Sequence, residues 1–337
     1  MFVEAGIGHL TSAIPENVRR AEALGFDGVT SAETAHEPFL PLAVAAEHTE
    51  RVKLRTNVAI AFPRSPHVMA NICWDLQEYS KGRFILGLGP QVKGHNERRF
   101  GIPWPSPPAP RLREYVLAVK AFLRTWGTGE KLNFVGEHYA HTLMTFNFTP
   151  EHHDYWETPI WISALGPAMA RVAGEVCEGL TIHPMCSFKY IDDIILPAVE
   201  EGARRGGRKL SDITIQINTF RAMGDTDEEV HKSMREAARR ISFYGSTRTY
   251  QRSLDIHGYK DLNLQLHELS LQNRWGEMHE LVTDDVVRSL AIVGTPEEVA
   301  RETQRRYGHL NAAVGWSDAS TNGDEERTKR ILEILRS

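Results

Sequence analysis

The chain has 337 residues, enough for one large domain or two modest ones, and its formal net charge of −5 with no visible basic face argues against a nucleic-acid partner. Its apolar and charged fractions suit a soluble protein with a sizeable core, no leader-like basic and apolar segment opens MFVEAGIGHLTSAIPENVRR, and the longest apolar runs are too short to cross a bilayer. Three cysteines (Cys73, Cys177, Cys186) show neither zinc spacing nor a disulfide framework, so the expectation is a reduced, cytoplasmic protein with no membrane partner.

Short apolar runs alternate with amphipathic helical patterns along the chain. Phe2 to Ile7 reads as a first strand and Pro15 to Leu24 as a helix ending at Gly25. Gly28 to Ser31 is a second strand, followed by a helix from Leu40 to Thr49. Val52 to Ile60 is a third, with its helix at Pro66 to Tyr79. Arg83 to Leu88 is the fourth, ending in glycines and leading through a polar loop to a long helix over Arg111 to Trp126. Ile160 to Ser163 and Leu180 to His183 are the fifth and sixth, separated by a helix over Pro167 to Val176. A helix over Phe188 to Arg205, a seventh strand at Ile213 to Phe220 and a helix over Asp227 to Arg240 follow. Leu310 to Gly315 is the eighth, closed by Glu325 to Leu335. Eight such units predict an α/β fold of the closed (β/α)8, TIM-type barrel kind. A doubly wound open sheet lacks its dinucleotide fingerprint after the first strand. The whole chain, 1–337, reads as one domain carrying two insertions near the barrel mouth. Residues 128–158 suggest a hairpin around GEHY, and 241–282 suggest extra helices.

Barrel enzymes place their chemistry in the loops that follow the strands, which selects a short set of polar residues. After the second strand come Glu33 and His36. Imidazole titrates near neutrality, so His36 is a candidate general acid or base, while Glu33 either orients a bound group or shares the proton work. The fourth-strand loop offers Gln91, Lys93 and His95, and the sixth strand ends in His183, a candidate for the substrate pocket. Gly166-Pro167 opens a helix whose free N–H groups suit a phosphate, although many helices begin so without binding anything. His138, His141 and the His152-His153-Asp154 cluster lack metal-ligand spacing, so no metal is expected. A Gly-x-Ser-x-Gly elbow is absent, which leaves hydrolase chemistry unsupported.

Several of these segments resemble those of one family. SKGRFILGLGPQVKGHNERRFGIPW, with RLREY at 111–115, resembles the central motif of the luciferase-like monooxygenase superfamily. ERVKLRTNVAIAFPRSPHVMANICWDLQEYS, TPIWISALGPAMARVAGEVCEGL and AIVGTPEEVARE are similar to its third-strand, fifth-strand and late helix-capping segments. QVKGHNERRFG and HEPFLPLA most resemble the branch of oxidoreductases that use the deazaflavin coenzyme F420. The resemblance implies a barrel with a flavin or deazaflavin at its mouth. It implies a non-prolyl cis peptide at Asn57-Val58 behind the ring, and contacts to the ring and its ribityl chain from Pro90, Gln91, Val92, Lys93 and His95. It also implies a phosphate held by Ala164, Leu165, Gly166 and Pro167, and an active-site histidine at His36. Where deazaflavin dehydrogenases often read Ser-Asp-His, this chain reads SAETAHEP. Where some relatives carry a glutamate in the fourth-strand loop, it has Val92, so that proton donor does not carry over. The implied activity is F420-dependent hydride transfer to or from a small carbonyl, imine, activated alkene or alcohol, and relatives are commonly homodimers. The alternatives are an FMN-dependent monooxygenase using O2 and a non-catalytic flavin-binding protein.

Overall fold

Short apolar segments closed by glycine or a polar stop become strands, and the amphipathic stretches between them become the helices that cover those strands. The computed structural model describes residues 1–104, 107–317 and 323–337. In chain order the strands are β1 (Phe2–Gly6), β2 (Gly28–Ser31), β3 (Lys53–Thr56), β4 (Ala59–Ile60), β5 (Phe84–Gly89), β6 (Phe134–Val135), β7 (Ala140–His141), β8 (Ile160–Ala164), β9 (Gly179–Ile182), β10 (Thr214–Ile217), β11 (Phe220–Met223), β12 (Ala291–Gly294) and β13 (Ala312–Trp316). The parallel order β1-β2-β3-β5-β8-β9-β10-β13 returns to β1, which closes an eight-stranded barrel as expected. Among the described residues no helix is long and apolar enough to cross a membrane.

Helix starts follow local chemistry. Ser65 accepts from the Val68 N–H ahead of Pro66, and Thr226 with Glu229 and Thr295 with Glu298 form reciprocal capping boxes. The predicted third strand is interrupted: Asn57-Val58 is a cis peptide, and the strand resumes as β4 beside the end of β5. The ladder across this gap is completed by a side chain. Thr56 Oγ1 donates to Gly87 O at 2.7 Å and accepts from Gly87 N at 2.9 Å. The approach is so close that a Cβ on Gly87 would stand 1.8 Å from Thr56 O, a backbone atom. Gly87→Ala is therefore expected to destabilise the fold by at least about 3 kcal/mol, measured by chemical denaturation. A loss within about 0.5 kcal/mol would contradict this packing.

The seventh predicted strand is also divided, into β10 and β11, and β11 pairs in parallel with β12, a strand that the sequence reading missed. Between β11 and β12 runs the 241–282 insertion, which is helical as expected and builds a second apolar core against the helix Asp227–Gly245. The first insertion does form the expected hairpin, β6 against β7. It enters β8 from the strand's N-terminal end, and its contacts lie along the outer wall. Glu114 on the helix Pro108–Thr128 accepts from the N–H groups of His138 and Tyr139, His153 packs at a tilt against Trp74, and Trp156 covers Gly127. This segment braces the barrel from Gly127 to Arg111, whose guanidinium donates to Tyr139 Oη at 3.0 Å and lies over Phe62.

Inward-facing side chains form layers. Phe2, Ile85, Trp161 and Ala313 make an apolar plug near the N-terminal end. Above it lies a buried charged layer, in which Arg55 on β3 meets Glu4 on β1 through bonds of 2.7 and 2.5 Å. Thr181 on β9 accepts from Arg55 at 3.1 Å, Gln216 on β10 donates to Glu4 at 3.0 Å, and Trp161 lies beneath the guanidinium. The loops that follow the strands stand above this layer.

Candidate active site at the barrel mouth

On the β1–β2 side, Ser31 Oγ donates to the carbonyl of Gly8, whose φ of 75° suits glycine, and so holds the loop that carries His9. His9 and His36 stack with ring centroids 4.1 Å apart and planes 9° from parallel. His36 thus stands on the β2 loop as expected. Its companion His9 was missed, and nothing in its local sequence marked it.

Glu33 is fully engaged. Its carboxylate accepts from Ile60 N at 2.7 Å and from both Arg64 terminal nitrogens at 2.8 and 3.1 Å, while its own N–H donates to Val58 O. The carboxylate is thus held by a guanidinium and a backbone donor together. Glu33 locks the β2 loop onto the chain that follows the cis peptide.

The β5 loop begins at Pro90 and turns through Gln91, which adopts φ 61° and accepts from Val92 N through its side chain. Buried Asn96 donates to the carbonyls of Pro90 and Val92 and staples the loop over the helix Lys93–Arg98. Lys93 and His95 are exposed on that helix, with Lys93 near Glu97 at 3.9 Å. Arg99 reaches across to the carbonyl of Thr34, which ties this loop to the loop carrying His36.

β8 stands four strands from β1 in the ring of eight, on the opposite side of the mouth. Its end, Ala164–Leu165, is fixed by its neighbour strand: Ala164 O accepts from His183 N, and Leu165 O accepts from the Cys186 thiol. Gly166 caps the helix Pro167–Val176 without a side-chain hydrogen bond, and a Cβ at Gly166 would meet nothing within 4 Å. No side chain caps this ten-residue helix start, and its first-turn N–H groups after Pro167 have no intrahelical partner.

His183 follows β9 as expected, though it is turned toward the second core. Its Nδ1 accepts from Met185 N, which leaves the proton on Nε2, 3.1 Å from Tyr250 Oη. Tyr244 meets the ring edge-on. Burial pushes the His183 pKa down to about 4. The sign follows from the neutral fold: between about pH 6.5 and 4 the unfolded chain takes a proton that the folded chain refuses, so stability falls with pH across that window. His183→Gln is expected to remove this dependence, worth at most about 3 kcal/mol, when denaturation is compared at pH 7.5 and 4.5. A slope identical to wild type would refute it.

All three cysteines are buried and desolvation raises their thiols, so none offers a thiolate. Among the described residues no group of three or more His, Cys, Asp or Glu stands together as a metal centre.

Asn57-Val58 lies between these two sides, directly above the buried charged layer, with Asn57 Oδ1 3.4 Å from Arg55 Nη1. The closed parallel barrel has histidines on one side of its mouth, an uncapped helix start opposite and a cis peptide between them, at the end where barrel enzymes carry their sites. The chain belongs to the luciferase-like monooxygenase family, whose model matches residues 7–310. It is 42% identical over 304 residues to an uncharacterized protein of Mycobacterium tuberculosis, covering 88% of this chain and 89% of that one. It is 35% identical over 214 residues to an F420-dependent glucose-6-phosphate dehydrogenase of Intrasporangium calvum, covering 59% of this chain and 61% of the relative. In structure it is similar to the coenzyme F420 dependent tetrahydromethanopterin reductase of Methanopyrus kandleri, with a TM-score of 0.76 at 21% identity over 98% of this chain and 96% of the other.

Proposed function

We propose that the protein is an F420-dependent oxidoreductase acting on a small organic substrate. The observation that carries this reading is the mouth itself: the His9–His36 stack, the cis Asn57-Val58 segment and the open helix start at Gly166-Pro167 surround one end of the barrel. The similarity to the F420-dependent dehydrogenase of I. calvum favours the deazaflavin over other ring cofactors. The residues fit such a group, because no side chain caps the helix start at Gly166-Pro167, and the first-turn N–H groups beyond Pro167, which has none of its own, suit its phosphate. When bound, the deazaflavin supplies the carbon that gives or accepts a hydride.

The remaining work falls to the chain. The Ala164 to Pro167 segment and the N–H groups of the helix turn that Pro167 opens would hold the phosphate, and Asn57, Val58 and Pro90 to Lys93 would set the ring plane. His95 would close the ribityl side. His36 would give or take the proton at the substrate's oxygen or nitrogen through an imidazole nitrogen, with His9 fixing its ring plane. Glu33 would act through Arg64 and Ile60 as a positioning residue. Val92 brings no acid to its loop, so the proton role passes to His36. His183, whose two ring nitrogens are engaged, would contribute shape to the substrate side. The mouth would bring donor and acceptor carbons into near-attack contact and exclude water.

Titration of the purified protein with F420 and with FMN, followed by cofactor fluorescence, tests the reading. Saturable F420 binding at least about ten-fold tighter than FMN is expected. The reverse order, with oxygen-dependent product formation, would replace it with the monooxygenase reading that the family's description favours.

A further inference from the structure

The charged layer inside the barrel has a directional consequence at the mouth. Arg55 is fully buried, and its guanidinium has donors only. Glu4 takes Nε and Nη2, while Nη1 is left to face Thr181 Oγ1 at 3.1 Å and Asn57 Oδ1 at 3.4 Å. Gly87 leaves room for this arrangement, since a Cβ there would lie 3.4 Å from Nη1. A donor at that place can donate only to the oxygen of the Asn57 amide, so chemistry alone settles which way the amide is turned. Oδ1 points down to Arg55. Nδ2 therefore points away from the guanidinium, toward the mouth, and among the described residues it takes no partner and is not sealed from solvent. The Asn57 backbone is held as well, its N–H donating to Ser31 O at 2.7 Å.

We propose that the Glu4–Arg55 pair is a positioning device: it holds the Asn57 amide so that Nδ2 is presented at the mouth as a donor to a carbonyl oxygen on the planar ring of the bound cofactor. Glu4 and Arg55 touch no ligand and act through Asn57. The identity of the acceptor rests on the proposed function, whereas the clamp on Asn57 does not.

Two variants test it. Glu4→Leu with Arg55→Met replaces the ion pair by apolar side chains, a change that buried pairs often tolerate. The folded double variant is expected to bind F420 about ten-fold more weakly, the loss of one hydrogen bond. Its Asn57 side-chain amide should also show a reduced 15N heteronuclear NOE without cofactor. Asn57→Asp keeps an acceptor for Arg55 and removes the donor. It should retain the wild-type melting temperature within about 3 °C while losing a similar factor in F420 affinity. Unchanged F420 affinity in both variants overturns the donor role, and an unchanged NOE in the folded double variant overturns the clamp. Should the wild type bind neither F420 nor FMN, the proposed function fails and the NOE comparison alone decides the clamp.

Discussion

His36→Ala is expected to lower kcat by about 10²- to 10⁴-fold, the range for loss of a positioned acid or base, while the F420 dissociation constant changes by less than about three-fold. The split follows from geometry. His36 stands on the β2 loop in a stack with His9, on the side of the barrel opposite the Gly166-Pro167 helix start proposed to hold the phosphate. Its removal takes away a proton-transfer group without touching those N–H groups. His9→Ala should give a smaller loss, about ten-fold, because His36 stays but loses the ring that fixes its plane. Single-turnover kinetics with F420 would separate these effects from product release. Turnover of His36→Ala within about three-fold of wild type would remove His36 from the mechanism and return the proton role to another group at the mouth.

Glu4→Leu carries the largest expected stability effect. Glu4 is 1% exposed and Arg55 is 0% exposed, so the single change leaves a guanidinium in the barrel interior with no counter-charge. Breaking a buried pair from one side costs about 3–5 kcal/mol, whereas removing both charges is often neutral. Chemical denaturation should therefore show a large loss for Glu4→Leu and substantial recovery in Glu4→Leu/Arg55→Met. This non-additivity is the signature of the pair, since two independent polar-to-apolar changes would add. A double variant as unstable as the sum of its singles would show that each residue matters for packing alone.

Much of the fold was legible because its signals are local. Alternation of short apolar runs with amphipathic helices predicted eight units and a closed barrel, and the hairpin at GEHY formed where expected. Two strand assignments failed for a shared reason. Val52 to Ile60 and Ile213 to Phe220 are continuous as patterns, but one is broken at Asn57-Val58 and the other divides so that β11 pairs with β12. β12 itself is four residues followed at once by a capping box, and so it was read with the helix. The mouth was legible in part. His36, Asn57, the β5 loop and Gly166-Pro167 all lie at strand ends, whereas His9 carried no mark of its own. Glu4 and Arg55 did carry one, a charge at the centre of an apolar strand, and it went unread.

By itself the amino-acid order determined most of the segments that become strands and helices and where several helices start. Those are short-range matters of period and capping. Tertiary structure alone decided which polar groups meet. Glu4 and Arg55 are 51 residues apart, Arg55 and Thr181 are 126 apart, and Glu4 and Gln216 are 212 apart. Each pairing depends on the register in which the closing barrel sets its inward-facing residues level with one another. The same closure sets His9 against His36 and clamps Glu33 with Arg64.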